Sequence, residues 1–131
     1  MHSSVEEVFD LLSTDAGREA FWAEESREAE GAVALRFPNG ATETARILAS
    51  ETPRLFELSY FGVRTRFALA DAPDGGCDLT LTADGRDRDD REEIRAGWVS
   101  VLMNLKAVAD HGVDLRNHDP SRSWDEGYAD N

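Results

Sequence analysis

A small group of polar residues near the C-terminus has side chains that could do chemistry. His118 and Asp119 are adjacent, and His111 lies seven positions earlier, so the three could together hold a metal ion. Their spacing matches no strong metal-ligand motif, and the segment 117–120 is more typical of a turn held by bonds from side chains to the backbone. The chain also lacks a phosphate-cradling glycine loop, a metalloprotease motif and a supported Ser-His-Asp order. The sequence therefore predicts no metal, no cofactor and no catalytic residue.

Three arginines could instead take part in ligand binding. Arg46, Arg64 and Arg66 fall on predicted strands. Pairing with Glu43 or Glu57 across the solvent face of a sheet is the favoured interpretation. An arginine that turned inward would bind a ligand carboxylate through two hydrogen bonds.

The apolar residues near the end of the chain predict one long amphipathic helix. Large side chains recur from Ile94 to Val108 at the spacing of a helix with one buried face. Asp89 or Asp90 is expected to cap its start, and Gly112 to follow its end near His111.

Shorter elements precede this helix. Helices are predicted over 5–12 and 15–22, the first capped by Ser3 or Ser4, and the acidic stretch 24–31 is expected to end in a turn. Alternating apolar and polar residues, separated by turn signals, predict strands over 33–37, 42–50, 55–61, 63–70 and 77–83. A charged linker, 84–90, follows. The order indicates an α+β fold in which the long helix lies across a curved antiparallel sheet.

A long helix over a curved sheet often leaves a hollow that can hold a small apolar ligand. Core packing is the favoured role of the large residues that face this hollow, and lining of a cavity is the second. Trp22 is the best candidate for the mouth, because it ends a short helix beside a loop. The candidate cavity lining is Trp22, Phe37, Phe56, Tyr60, Phe67, Trp98, Leu102 and Leu105.

Composition limits the classes of partner. The 131 residues, 40% hydrophobic and 31% charged, suit one soluble globular domain. The net charge of −13 disfavours nucleic acid and anionic membranes. No apolar run could span a membrane, and the first residues are not a signal sequence, so the cytoplasm is the expected location. Cys77, the only cysteine, can form no disulfide within the chain, and a half-buried strand position explains it better than a nucleophile.

Five segments, in this order, carry a resemblance to a known family. They are VEEVFDLL (5–12), FW (21–22), PRLFEL (53–58), GGCDLTL (75–81) and GWVSVLMNLK (97–106). Over residues 4–112 the chain resembles the START/SRPBCC superfamily, in particular the branch of the activator of the heat-shock chaperone ATPase and its bacterial relatives. The resemblance implies a helix-grip fold, in which a seven-stranded antiparallel sheet grips the C-terminal helix around a cavity. It implies no single activity, since relatives bind lipids, sterols or polyketides, act as cyclases, or act with the chaperone.

Both ends of the chain depart from that family pattern. Relatives have a strand before the first helix, beside the last strand, whereas only residues 1–4 precede it here. The strand Cys77–Ala83 is therefore expected to have an open edge, which could pair with a second copy to form a homodimer. A start site placed too late, or a shortened chain, is the alternative explanation. The segment 113–131 resembles an extension found in one sub-branch, and a helical turn would put its Trp124 and Tyr128 on one face, ready to dock on the body or on a partner.

Three functions remain open. The favoured one is non-enzymatic binding of a small apolar molecule between the sheet and the long helix. A co-chaperone-like interaction module is the second, and it predicts an exposed apolar patch. A cyclase-like enzyme is the third, and it needs a polar group deep in the pocket.

Overall fold

The structure is a computed structural model that describes residues 1–84 and 87–131. The helices are α1 (Val5–Ser13), α2 (Asp15–Phe21) and α3 (Arg88–His111), and a single 3-10 turn follows at Trp124–Glu126. The strands are β1 (Glu25–Ala29), β2 (Ala32–Arg36), β3 (Thr42–Glu51), β4 (Leu55–Tyr60), β5 (Val63–Asp71) and β6 (Cys77–Ala83). Each strand pairs antiparallel with the next along the chain. The α+β helix-grip architecture predicted from the sequence is confirmed.

The two short helices begin at side-chain caps. Ser4 forms a capping box with Glu7 at the start of α1, and the Thr14 hydroxyl accepts a hydrogen bond from the Gly17 amide at the start of α2. Gly17 is buried where α2 crosses α1, and an added Cβ would lie 2.5 Å from the Leu11 Cα. The junction of the two helices is therefore closely packed, and it requires a glycine.

Strand β1 was not predicted, because the acidic stretch 24–31 was expected only to end in a turn. Only Ser26 of its five residues is buried, so the strand carries no apolar alternation. The fully buried Arg18 holds it in place instead: the guanidinium donates to the Ser26 hydroxyl at 2.8 Å and to the Glu28 carboxylate at 3.1 Å. It also donates to the Leu12 carbonyl at 2.9 Å, so that one side chain joins α1, α2 and β1.

The opposite edge of the sheet ends at β6. Among the described residues the sheet has six strands rather than the seven that the resemblance implied. Met1 forms a short stub beside β6: its amino group donates to the Cys77 carbonyl at 2.8 Å, and the Cys77 amide donates to the Met1 carbonyl at 2.9 Å. Gly76 is required here, because an added Cβ would lie 2.0 Å from the Met1 carbonyl oxygen.

Helix α3 starts slightly earlier than predicted. The Asp87 side chain caps the helix by accepting a hydrogen bond from the Asp90 amide, so the expected cap at Asp89 or Asp90 was wrong. The acidic run contains several aspartates, and each is a residue type that can cap a helix. Gly112 ends the helix in the left-handed conformation, with φ of 64°, as predicted. In the predicted linker 84–90, residues 88–90 are helical, and Gly85 and Arg86 lie outside the described residues. In the described part of the chain, no helix combines the length and apolar character needed to cross a membrane.

The two halves of α3 meet different surroundings. The C-terminal half packs on α1 and α2, and Leu105 there is fully buried. Asn104 donates to the Phe21 carbonyl at 2.7 Å and fixes this half to the end of α2. In the N-terminal half, the Trp98 ring packs edge-on against Phe67 of the sheet, with a centroid distance of 5.5 Å.

Candidate binding groove

Aromatic rings occupy the space between the sheet and the N-terminal half of α3. The Trp98 ring lies at the centre, with centroid distances of 5.4 Å to Trp22, 5.3 Å to Tyr60 and 5.5 Å to Phe67. Their tilted and T-shaped arrangements are those that aromatic pairs prefer. The hollow expected from the fold is therefore largely filled by side chains, and open space remains only at its margin.

Part of that space forms two adjoining clefts between α3 and the turn that joins β4 to β5. The first cleft, of about 410 Å³, opens toward the start of α3, and the second, of about 330 Å³, opens toward the C-terminal segment. The clefts share four residues, so we describe them as the two lobes of one groove. The shared residues are Tyr60, Phe61, Gly97 and Val101.

Each lobe also has its own lining. The first is completed by Val63, Thr65, Asp90, Glu93, Ile94 and Trp98. The second is completed by Trp22, Phe37, Pro38, Asn39, Ala41, Ser100, Trp124, Asp125 and Asn131.

The turn between β4 and β5 places an exposed aromatic ring at the rim. Phe61 and Gly62 both have positive φ, 48° and 75°, which reverses the chain within two residues. The Phe61 amide donates to the Glu43 carboxylate, which holds the turn against β3. The Phe61 side chain is 54% exposed, and its ring lies 4.7 Å from that of Tyr60 in a T-shaped arrangement.

Gly97 keeps the helix side of the groove open. It is helical, so it needs no special backbone conformation, and a Cβ built there would meet nothing within 4 Å among the described residues. A glycine inside a helix is about 1 kcal/mol less favourable than alanine. Neither conformation nor crowding thus explains this glycine, and its visible effect is to widen the groove.

The polar groups at the groove are acidic or uncharged. Glu93 lies on the rim of the first lobe and Asp125 on that of the second, where it accepts from the Asn39 amide at 2.8 Å. Within residues 1–84 and 87–131, neither lobe is lined by an arginine or a lysine. The groove is therefore unsuited to an anionic ligand.

The Tyr60 hydroxyl lies near the buried indole N–H of Trp22. Burial raises the pKa of the Tyr60 hydroxyl well above its usual value; the nearby Trp22 N–H opposes the shift, and Glu43 adds to it. The hydroxyl is therefore neutral, and able to donate, at any physiological pH. Trp22 is 5% exposed, and its indole N–H, itself buried, interacts with the Tyr60 hydroxyl.

The residues predicted to line a cavity divide into two groups. Trp22, Phe37, Tyr60 and Trp98 line the groove. Phe56, Phe67 and Leu105 are fully buried in the core, and Leu102 is partly buried against it. Whether any of the eight contacts a ligand remains a prediction.

Other residues of the groove were not identified from the sequence. Phe61 was assigned to the end of a strand, and Gly97 was noted only as part of the helix. A helical glycine directly before a tryptophan was the one available signal, since it leaves a gap on an otherwise covered face.

The three strand arginines all lie on the solvent face. Arg46, Arg64 and Arg66 are exposed, and Arg64 pairs with Glu57, as the favoured interpretation predicted. Glu43 instead accepts from the Phe61 amide.

The C-terminal segment forms one wall of the second lobe. Trp124 lies at the mouth of the lobe and is 42% exposed. Tyr128 points elsewhere, with the Arg122 guanidinium 5.6 Å from its ring centroid. The prediction that both rings share a helical face was wrong, because Gly127, with φ of 90°, ends the turn after three residues.

Arg116 and His118 hold this segment on the body. The Arg116 guanidinium donates to the Ala23 carbonyl at 3.0 Å and to the Glu19 carbonyl at 2.6 Å. The His118 ring lies between two carboxylates: Nδ1 contacts Glu24, and Nε2 lies 2.7 Å from Asp114. Glu24 first and Asp114 second raise the pKa of His118, because both nitrogens can donate only in the imidazolium.

The residues considered for metal binding and for a nucleophile lie outside both lobes of the groove. Asp119 caps its own turn by accepting from Ser121 at 2.9 Å, and His111 is exposed at the end of α3. No three His, Cys, Asp or Glu side chains in the described residues are grouped to hold a metal ion. Cys77 is fully buried rather than half-buried, and burial raises the pKa of its thiol.

Solved structures share this fold. A protein from Staphylococcus saprophyticus matches with a TM-score of 0.75 and 23% identity, over 86% of this chain and 88% of its own. The Aha1 dimer from Colwellia psychrerythraea matches with a TM-score of 0.73 and 18% identity, over 86% and 92% of the two chains. An AHSA1-like protein from Aeromonas hydrophila matches with a TM-score of 0.70 and 19% identity, over 86% and 89%.

No protein-family model and no curated protein sequence matches the chain. At these identities the structural likeness concerns the fold, and it agrees with the five sequence segments that carry the resemblance. The chain thus has the same helix-grip fold as these Aha1 and AHSA1-like structures.

Proposed function

We propose that this protein binds a small apolar molecule in the groove between α3 and the β4–β5 turn, without catalysing a reaction. The observation that carries the proposal is the aromatic groove beside Gly97, a helical glycine with space around it. Cleft volumes of about 410 and 330 Å³ fall in the range of small-molecule sites, which are mostly apolar with few polar groups. Exposed Phe61 supports it further, because a flat ring at a rim can cover a bound ligand.

Filling the groove from Gly97 tests the proposal. Gly97→Leu places a side chain where nothing lies within 4 Å of the added Cβ, so the fold should tolerate it. Binding of N-phenyl-1-naphthylamine, an uncharged fluorescent probe, should weaken at least tenfold. The matched control is Ala96→Leu, which adds the same bulk at the neighbouring exposed helix position, outside both lobes. The proposal fails if the wild-type protein shows no saturable binding, or if both variants weaken it equally.

The second candidate is a co-chaperone-like interaction module, favoured by an exposed apolar patch on the other side of α3. Val99 and Met103, one helical turn apart, are 54% and 55% exposed, and Leu115 beside them is 49% exposed. Such a patch can dock a partner's apolar face. Stimulation of a heat-shock chaperone ATPase that is lost in the Val99→Ser, Met103→Ser double variant would support this function. An ATPase rate that the wild-type protein leaves unchanged would argue against it.

The edge of β6 is proposed to pair with a second copy of the chain. Cys77 directs its amide and carbonyl toward Met1, so Leu79, Leu81 and Ala83 direct theirs toward the same open side. The structure from Colwellia psychrerythraea is described as a dimer. Light scattering on a dilution series should show twice the monomer mass, and Leu79→Pro, which removes one outward N–H, should return it to monomer. A monomer at all concentrations would contradict the pairing.

A further inference from the structure

We infer that the C-terminal loop 117–131 is a pH-operated lid over the second lobe, held down by His118 between the carboxylates of Glu24 and Asp114. Low pH keeps the lid seated on the body, and rising pH releases it. The motion of the lid is independent of the proposed function, whereas its effect on the entry of a ligand rests on that function.

The loop is folded on itself as well as on the body. The Asn117 amide donates to the Asp130 carbonyl at 2.6 Å, and the Asn117 side chain donates to the Arg122 carbonyl at 2.9 Å. The two ends of the loop therefore meet, as they do in the Ω-loops that frequently have functional roles. Because these bonds are internal, the loop can move as one piece.

The loop is attached to the body by polar contacts. Among residues 117–131, all of which the structure describes, only Ser123 is buried. Trp124 is 42% exposed although it lines the second lobe. Apart from His118, the Asp125 carboxylate joins the loop to the body by accepting from the Asn39 side chain at 2.8 Å. Lifting the loop thus removes none of its apolar side chains from a core, and segments of this kind open at low cost.

The chain is fixed just before the loop begins. The Arg116 side chain is only 6% exposed, and its guanidinium donates to the Ala23 and Glu19 carbonyls. Movement of the loop must therefore start after Arg116. His118 there has a positive φ of 55°, which is uncommon for a residue other than glycine and persists where surrounding contacts hold it. The hinge and the titratable ring thus lie within two residues of each other.

Protonation of His118 decides how many bonds the latch makes. The imidazolium can donate to Glu24 through Nδ1 and to Asp114 through Nε2, whereas the neutral ring has one N–H and can donate to only one of them. Glu24, between α2 and β1, and Asp114 raise the pKa of His118, and the Arg116 charge opposes them. The latch is therefore complete below the free value of about 6.5 and is lost as pH rises through the raised pKa.

The position of the loop links this latch to the groove. Trp124, Asp125 and Asn131 of the loop form part of the lining of the second lobe, and the rest of that lining belongs to the body. When the loop lifts, the lobe loses these three residues and opens to solvent on their side. The lid therefore controls how fast a molecule enters or leaves the lobe, and not which chemical class binds there.

Fluorine NMR of the full-length protein labelled with 5-fluorotryptophan tests the latch without a ligand. The chain has three tryptophans, and the Trp124 signal is assigned by its loss in Trp124→Phe. From pH 6 to pH 9 this signal should move toward its position in the unfolded protein, as the ratio of lifted to seated loops rises about two- to fivefold. The midpoint of the change should lie above about 6.5.

Three variants identify the group that titrates. His118→Gln cannot become charged, so its Trp124 signal should be independent of pH and should lie near the wild-type position at pH 9. His111→Gln is the matched control: it makes the same change at an exposed position at the end of α3, outside the loop, and should titrate as the wild type does. Glu24→Gln removes one of the two carboxylates and should lower the midpoint.

Probe kinetics test the effect of the lid on the groove. The association rate of N-phenyl-1-naphthylamine, measured by stopped-flow fluorescence, should rise about two- to fivefold from pH 6 to pH 9 in the wild-type protein. In His118→Gln the rate should be the same at both pH values. The probe is uncharged over this range, so a change in its rate arises in the protein.

The outcomes separate the latch from the proposed function. A Trp124 signal that stays fixed from pH 6 to pH 9, or that titrates equally in His118→Gln, would overturn the latch and leave the proposed function standing. An association rate that does not change while the Trp124 signal moves would overturn the role of the loop as a lid. A moving Trp124 signal in a protein that does not bind the probe would support the latch and refute only the proposed function.

Discussion

Two glycines in helical conformation have opposite surroundings. Gly17 lies where α1 and α2 pack closely, which we call the closed end of the molecule, and Gly97 lies beside the groove, which we call the open end. At Gly17 an added Cβ would lie 2.5 Å from the Leu11 Cα and 2.6 Å from the Asp10 carbonyl oxygen. At Gly97 an added Cβ would meet nothing within 4 Å in the described residues. Both residues weaken their helices by a similar amount. The first glycine is needed because two helices touch there, whereas the second leaves space.

The difference shows how stability and binding are divided along the molecule. At the closed end, α1, α2 and the C-terminal half of α3 exclude solvent around Leu12 and Leu105, which are both fully buried. At the open end, the N-terminal half of α3 rests on aromatic rings and borders the groove. Substitutions should therefore change folding at one end and ligand access at the other.

The largest effect is expected at the closed end. Gly17→Ala should destabilise the protein by about 1–3 kcal/mol or more, because the new methyl group meets backbone atoms that cannot rotate away. Urea unfolding followed by circular dichroism measures the change. An unchanged midpoint would show that α1 and α2 can separate without cost, and the contrast between the two ends would then fail.

A smaller effect of opposite sign is expected at the open end. Gly97→Ala should stabilise the protein by about 0.5–1 kcal/mol, since alanine favours the helix and its methyl group meets no atom. The same urea titration applies. Destabilisation would mean that the groove is narrower in solution than in the structure. The alanine is also too small to fill the groove, so probe binding should persist, unlike in Gly97→Leu.

The smallest effect concerns the wall of the second lobe. Contacts with Glu24 and Asp114 raise the pKa of His118, so its stabilising contribution is complete below the unfolded value of about 6.5 and is lost as pH rises through the raised folded pKa. With His118 42% exposed, solvent screening limits the effect to less than about 1 kcal/mol. The difference in unfolding free energy between wild type and His118→Gln should shrink from pH 6 to pH 9. A constant difference would show that the two contacts do not depend on the imidazolium.

The sequence predicts most of the fold because its helices and most strands bury apolar residues at regular spacing. Strands β2 to β6 and helix α3 show that spacing, and their predicted bounds are close to the observed ones. Strand β1 does not, since the buried cation of Arg18 holds it rather than an apolar face. A buried arginine cannot be distinguished from an exposed one by periodicity, so β1 was missed.

The groove is harder to predict than the fold. Trp22 and Trp98 were correctly expected near the helix and the sheet, but periodicity cannot separate rings that line a cleft from rings that fill a core. Phe56 and Phe67 have the same pattern and are completely buried. What decides is how α3 packs on the rest of the molecule, and that packing depends on contacts between residues far apart in sequence, such as Asn104 with the Phe21 carbonyl.

The two backbone hydrogen bonds between Met1 and Cys77 have a practical consequence for protein engineering. Residues fused ahead of Met1 would continue antiparallel along β6, past Leu79 and Leu81, whose backbone groups face that side. An affinity tag placed there could thus behave as an additional strand and mask self-association. The other terminus lines the second lobe through Asn131, so a tag there would lie at the mouth of the groove. Titrations and mass measurements should therefore use protein from which the tag has been removed.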